Sequence, residues 1–379
     1  LHLVIHLVAL FSACWCCHGE IARRRPAPIH LGSFHLATAL GGVLGTAAVV
    51  FAAPLLFAGH LEHRLGLIAA AVLSVHAARF PGLRRLPGRA LAGAAVVAIV
   101  GTALLPHLLH APGERVIAAS RSFFGVLTVR ELDPQDPRRS RRELRHGVTT
   151  HGRQMLNPTQ RRQPTAYYGQ SSGIGLALAR LRPASRRIGV IGLGVGTLAC
   201  YAQPGDSWRF YEIDPAVAIM ARRWFTFLDD ASQPMNIALG DGRRLLAGET
   251  DTRYDLLVLD AFSSDAIPVH LLTAEAFALY RERLTSTGVL ALHISNRHLD
   301  LRPVVRAAAL RQGWPCLVID DEPDQEDRPA CEPSLWVLSG PDPTLSVDPL
   351  LLSRRQAAEF PPLVVPWSDE QADLLRVWR

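Results

Sequence analysis

Between Leu36 and Ala58 no side chain is charged, and this run constrains the fold more than any other feature of the chain. A helix needs about 20 consecutive apolar residues to cross the core of a bilayer. Apolar stretches at 1–17, 65–78 and 90–109 accompany it, so residues 1–113 read as a block of three or four transmembrane helices inserted in a lipid bilayer. The stretch 65–78 is short enough to be re-entrant or a buried helix instead. Leu1 opens in mid-apolar run with no basic segment before it, and the start reads as truncated.

Charge separates this block from the rest. Residues 1–113 hold eight arginines, two acids and ten of the fifteen histidines, whereas residues 114–379 hold 32 arginines and 32 acids. The net charge of +6 therefore belongs to the first block. A neutral second block lacks the basic face that nucleic acid requires. All forty basic residues are arginine, which excludes Schiff-base chemistry and a phosphate-binding lysine. The six cysteines form no CxxC pair and have no zinc spacing, so neither a metal site nor a disulfide framework is expected.

After residue 170 the punctuation changes to strand and helix in alternation. The run RIGVIGLGVGT is a short buried strand followed by Gly192, Gly194 and Gly196, a bend at which backbone can approach a ligand and open a helix. WRFYEID ends a second strand at Glu212, twenty residues after Gly192, where a carboxylate can accept both ribose hydroxyls. NIALGD ends at Asp241, YDLLVLD at Asp260, and a fifth strand, GVLALHIS, carries His293 near its end. Helices are expected at 215–228, 242–248 and 273–285. One acid at a strand end is usually a helix cap; three in succession behind a glycine loop indicate an open parallel sheet with a nucleoside at its carboxyl edge.

The segment LDAFSSDAIP places Asp260, Ser263, Ser264 and Asp265 in one loop. Paired carboxylates in a cleft can hold an amine cation and take a proton from it. A loop of the same composition could also simply cap the helix that follows.

In this order GLGVGT, FYEID, LGDG and LDAFSSDAIP resemble the spermidine synthase (polyamine aminopropyltransferase) family. CHGEIARRRPAP, LGGVLGTAAVVFAAPLLF, RSFFGVLTV, HGVTTHG, PTAYYG and PWSDEQADLLRV resemble its membrane-fused version. The resemblance implies that Gly192, Gly194 and Gly196 cradle the donor, decarboxylated S-adenosylmethionine. Glu212 would bind its ribose, Asp241 and Gly242 its adenine. Asp260 would be the base, Asp265 would hold the polyamine, Tyr168 would contact donor or acceptor, and Ser263 and Ser264 would line the substrate loop. No permanently bound cofactor is implied. Four departures stand out, one of them the gain of Ala261 and Phe262 in the D-S-S-D-P loop of the soluble enzymes. Val195 occupies the place of an acid in the glycine loop of the soluble enzymes, Tyr167-Tyr168-Gly169 lacks the acid of their Y-H-E pattern, and Thr150 replaces a glutamine.

The expected architecture is a transmembrane α-helical block over 1–113, then α/β. A small β-domain over 114–170 precedes a doubly wound, Rossmann-like (methyltransferase-like) sheet over 171–345 and a tail over 346–379. The expected activity is aminopropyl transfer to an amine or polyamine. The alternatives are an S-adenosylmethionine-dependent methyltransferase and a non-catalytic membrane protein that binds polyamines. The expected location is multi-pass in the inner or plasma membrane. Cytosolic supply of the donor argues for a cytoplasmic catalytic domain, while four spans would put it on the outer face. The sequence also leaves room for a homo-oligomer.

Overall fold

The computed structural model describes residues 2–78, 113–147, 149–181, 185–262, 267–324, 327, 330–354, 361–362 and 364–379. Two compact units emerge, Leu1–Pro112 and Gly113–Arg379.

In the first unit, helices His2–Arg23 and Leu61–Ala78 pack through the small side chains of Ala9, Ala13 and Ala71 around Leu67. Between them the chain is helical from Pro28 to Leu56, by way of Leu31–Ala47, a π-turn at Ala48–Ala52 and Ala53–Leu56. The wide turn has a cause in Pro54, which cannot donate to the preceding turn and crowds its carbonyls. This segment of 29 residues has a mean hydropathy of 2.0 over its most apolar window, of which 6% is buried. Among the described residues it is the one helix long and apolar enough to cross a membrane. Three or four spans are not shown by the described residues. His2–Arg23 is loaded with His6, His18, Glu20 and Arg23, and Leu61–Ala78 opens on Glu62-His63-Arg64. The stretch 90–109 lies outside the described residues.

The second unit begins with an antiparallel sheet in the order β1-β2-β3-β4: Glu114–Ser122, Gly125–Leu132, Arg141–His146 and Thr149–Met155. The larger sheet contains β5 (Arg187–Ile191), β6 (Ser207–Glu212), β7 (Met235–Leu239), β8 (Tyr254–Leu259), β9 (Leu284–His293), β10 (Cys316–Asp321) and β11 (Ser334–Ser339). Its order is β10-β11-β9-β8-β5-β6-β7. Strands β5 to β9 are mutually parallel, and β11 is antiparallel to both β9 and β10. The sheet is thus mixed, a Rossmann-like fold of the methyltransferase type, and not wholly parallel as the alternation of strand and helix implied. β11 follows β10 after the connection 322–333 and pairs with it in the antiparallel sense.

Both faces of this sheet are covered, so its central strands are apolar throughout. Ile188, Val190, Trp208, Phe210, Leu256 and Val258 face one core, shared with β2, β3 and helices Gly173–Arg180 and Pro215–Trp224. Ile191, Tyr211, Leu257, Leu259, Leu290 and Leu292 face the other, beneath helices Ala274–Arg283 and Arg302–Arg311. The expected helix at 215–228 stops at Trp224, because Phe225 turns extended and is buried. The glycine loop opens only a 3-10 turn, Thr197–Tyr201. Pro204 and Gly205 follow closely, and the loop opens no α-helix.

Candidate active site

A cleft of about 1200 Å³ runs along the carboxyl ends of β5, β6, β7 and β8 and is closed on one side by β3 and β4. Gly192 and Gly194 line it. A Cβ at Gly192 (φ +104°) would stand 2.2 Å from the Asp260 carbonyl oxygen, and one at Gly194 (φ +55°) 2.4 Å from that of His151. Glycine is required at both because three backbone segments converge there. Gly196 lies outside the cleft, where its missing side chain makes room for Leu228. Its role is packing, and the expected donor contact has no basis in its position.

Glu212 lines the cleft at the end of β6. Its carboxylate accepts the backbone N–H groups of Leu193 at 3.0 Å and Asp214 at 2.8 Å. Burial pushes its pKa up to about 7, against the opposing pull of those two N–H groups. Asp241 also lines the cleft, caps helix Gly242–Gly248 through Arg244 N at 2.8 Å, and lies 3.3 Å from His270 Nε2. Gly242 sits at the cleft floor, where a Cβ would press on Ile191 at 2.6 Å. Asp214 caps the helix after β6 and accepts the Ser122 hydroxyl at 2.7 Å, which ties the β1–β2 hairpin to the site.

Asp260, just past β8, is held on both of its oxygens. Tyr168 Oη donates to its Oδ2 at 2.5 Å, and His293 Nδ1 lies 2.8 Å from its Oδ1. Burial and the adjacent Asp260 hold the Tyr168 phenol well above its ordinary range, so it remains a proton donor. Facing a carboxylate, His293 donates from Nδ1, and its Nε2 lies 2.8 Å from Ser295 Oγ. Ser295 Oγ in turn accepts Leu335 N at 2.9 Å. The imidazole stacks on Trp336 at 4.6 Å, with the edge of Phe262 4.9 Å away.

Tyr168 is positioned by a corner of chain remote in sequence. Ala166, at φ +54°, bridges to Cys331, the Tyr168 carbonyl accepts Tyr201 Oη at 2.6 Å, and the Tyr167 carbonyl accepts Trp336 Nε1 at 3.2 Å. Glu332 bonds Tyr167 and pairs with Arg153. Thr150 lines the cleft. Val195 does not, being 1% exposed and packed on Gly152. Ser263, Ser264 and Asp265 lie outside the described residues.

Sequence reasoning thus brought Gly192, Gly194, Glu212, Asp241, Gly242, Asp260 and Tyr168 to one cleft. It missed Ser295, Glu332 and His151, and noted His293 only as a strand-end residue. The sequence signal for His293 and Ser295 was their i, i+2 spacing at the end of a strand, which puts both on one face.

No family model matches the chain. A polyamine aminopropyltransferase from Vibrio vulnificus is 37% identical over 120 residues, 30% of this chain and 40% of that protein. Part of the chain is homologous to polyamine aminopropyltransferases. The eEF1A lysine and N-terminal methyltransferase of Xenopus laevis is 32% identical over 125 residues, 30% of this chain and 18% of that protein. The chain therefore spans less than half the length of these curated relatives. Among solved structures, a probable spermidine synthase from Corynebacterium glutamicum aligns with TM-score 0.46 and 18% identity, over 60% of this chain and 80% of that one. Human methyltransferase-like protein 13 in complex with SAH aligns with TM-score 0.37 and 25% identity, over 48% of this chain and 85% of that one.

Proposed function

We propose that residues 113–379 form an aminopropyltransferase that uses decarboxylated S-adenosylmethionine as co-substrate and an amine or polyamine as acceptor. The observation that carries this reading is Asp260, a carboxylate clamped by Tyr168 and His293 beside the glycine loop. Each of its oxygens accepts one protein hydrogen bond and keeps a lone pair for a substrate amine.

Glu212 holds the ribose, and Asp241 with Gly242 flanks the adenine. Asp260 takes one proton from the acceptor ammonium. The freed nitrogen lone pair attacks the propyl carbon bonded to sulfur, the C–S bond breaks with its electron pair going to sulfur, and methylthioadenosine leaves. The product nitrogen is a secondary ammonium, and one proton is released overall. Asp320 at the cleft wall adds negative potential for a polycationic acceptor. Catalysis then rests on positioning and proton removal, with no covalent intermediate.

A methyltransferase acting from the same cleft is the second reading, favoured by the stretch 32% identical to the eEF1A methyltransferase. Incubating the full chain with each donor and a panel of amines separates the two. Methylthioadenosine formed in an acceptor-dependent way supports the first, and S-adenosylhomocysteine supports the second.

The first unit is part of this proposal. At ~1.5 Å per residue, Pro28–Leu56 extends beyond the ~30 Å bilayer core. We read the chain as membrane-anchored, with the catalytic unit on the cytoplasmic face where the donor is made. Release of the chain from membranes by alkaline carbonate would remove the anchor, and protection of the catalytic unit from protease added to the cytoplasmic side would reverse its face.

A further inference from the structure

β3 and β4 pair from Arg141↔Met155 to Leu144↔Gly152 and resume at Arg145↔Thr150, so His151 is the extra residue of a β-bulge. Bulges re-aim single side chains and recur beside active sites. Gly152 absorbs the bend at φ +146°, a conformation open to glycine, and its bare face receives Val195. The His151 carbonyl closes on Gly194, and His151 lines the cleft with its ring 5.6 Å from that of His146. Its Nε2 is enclosed with no hydrogen-bond partner among the described residues. Buried polar atoms are nearly always paired, and an orphan in a cleft calls for a ligand.

The surroundings define that ligand. Burial, reinforced by His146 with its ring 5.6 Å away, pushes the His151 pKa down to about 4, while the Asp260 charge acts in the opposite sense. At neutral pH the ring is uncharged and offers a lone pair. It can accept from an ammonium but does not neutralise a carboxylate.

We propose that His151 Nε2 accepts a hydrogen bond from the terminal ammonium of the donor's aminopropyl chain, which makes His151 the residue that reads the decarboxylated end of the donor. The inference rests on the nucleoside-linked sulfonium donor of the proposed function. With ribose on Glu212 and the reacting carbon before Asp260, the remaining donor chain runs along Gly192–Gly194 to the bulge. Ordinary S-adenosylmethionine would bring its carboxylate against the same lone pair.

The test is calorimetric titration of the full chain, in detergent, with decarboxylated S-adenosylmethionine, S-adenosylmethionine and methylthioadenosine, which lacks the amine. His151→Ala should weaken the decarboxylated donor roughly tenfold or more, the size of a lost charge-assisted bond, while methylthioadenosine stays within about twofold. His151→Gln, which retains an acceptor oxygen, should recover most of the loss. Equal weakening of both ligands would make the bulge merely structural and overturn the proposal. So would a larger loss for S-adenosylmethionine, which would show Nε2 donating to a carboxylate. If the unaltered chain binds no methylthioadenosine, the nucleoside site itself falls, and this proposal with it.

Discussion

His293 Nδ1 lies 2.8 Å from Asp260 Oδ1, and the imidazole behind that contact is held on both its edge and its face. Ser295 occupies the far nitrogen at 2.8 Å and Trp336 stacks at an interplanar angle of 13°. A carboxylate supported from one side by this arm and from the other by Tyr168 has little rotational freedom. Precise aim of that kind is what a general base needs.

Asp260→Asn should therefore abolish turnover while leaving methylthioadenosine affinity within a few-fold. The amide keeps the shape but accepts no proton, and loss of a general base costs about 10²–10⁴ in rate. Single-turnover rates and equilibrium binding on the same preparation check this. Unchanged turnover would remove Asp260 from the chemistry.

His293→Phe keeps an aromatic ring on Trp336 and removes the hydrogen bonds to Asp260 and Ser295. It should lower kcat by roughly tenfold or more, the worth of one charge-assisted bond, with KM for the amine little changed. The thermal midpoint should move by only a few degrees, since a ring still fills the site. A large fall in midpoint with unaltered kcat would assign His293 to the core and not to the base.

With the ribose on Glu212, as proposed, nucleoside binding should depend on pH. The Glu212 carboxyl is near pKa 7 in the free protein because burial disfavours the charge. Ribose hydroxyls donate, so they bind the ionised form better, and affinity should rise from pH 6 to pH 8 by several-fold. Glu212→Gln should weaken binding at pH 8 and flatten the dependence. Stability runs the opposite way. The fold favours the protonated form, so this contribution is complete below about pH 4.5 and lost as pH rises through about 7, a change of about 3 kcal/mol. Affinity that stays level across this interval would leave Glu212 as a brace for the glycine loop only.

Val195→Asp looks, from the glycine loop alone, like a gain of an acid for the donor's amine. The structure reverses that expectation. Val195 is packed on Gly152 under the bulge, away from the cleft, and a carboxylate there would be buried without a partner. The variant should lose several kcal/mol of stability, at the large end for single substitutions, and gain no donor affinity. Tighter binding of decarboxylated S-adenosylmethionine by a stable variant would disprove this placement.

What the sequence determined by itself was whatever local periodicity records. The uncharged run at 36–58, the alternation of strand and helix, and the acids Glu212, Asp241 and Asp260 at successive strand ends all depend on residues close together in the chain. Strand ends converge on one edge of a parallel sheet whatever the details, which is why those acids were legible as a group. Tertiary structure decided the rest. Tyr168 reaches Asp260 from 92 residues away and His293 from 33, and Glu332 reaches Arg153 across 179. No short-range pattern encodes such meetings. The bulge at His151 is a matter of register between two strands, and the sealing of Val195 against Gly152 is a matter of how two sheets pack. Side-chain type and spacing say which atoms are available. Which of them face a cleft and which are buried against a neighbour depends on backbone direction, and that is set only when distant segments pack together.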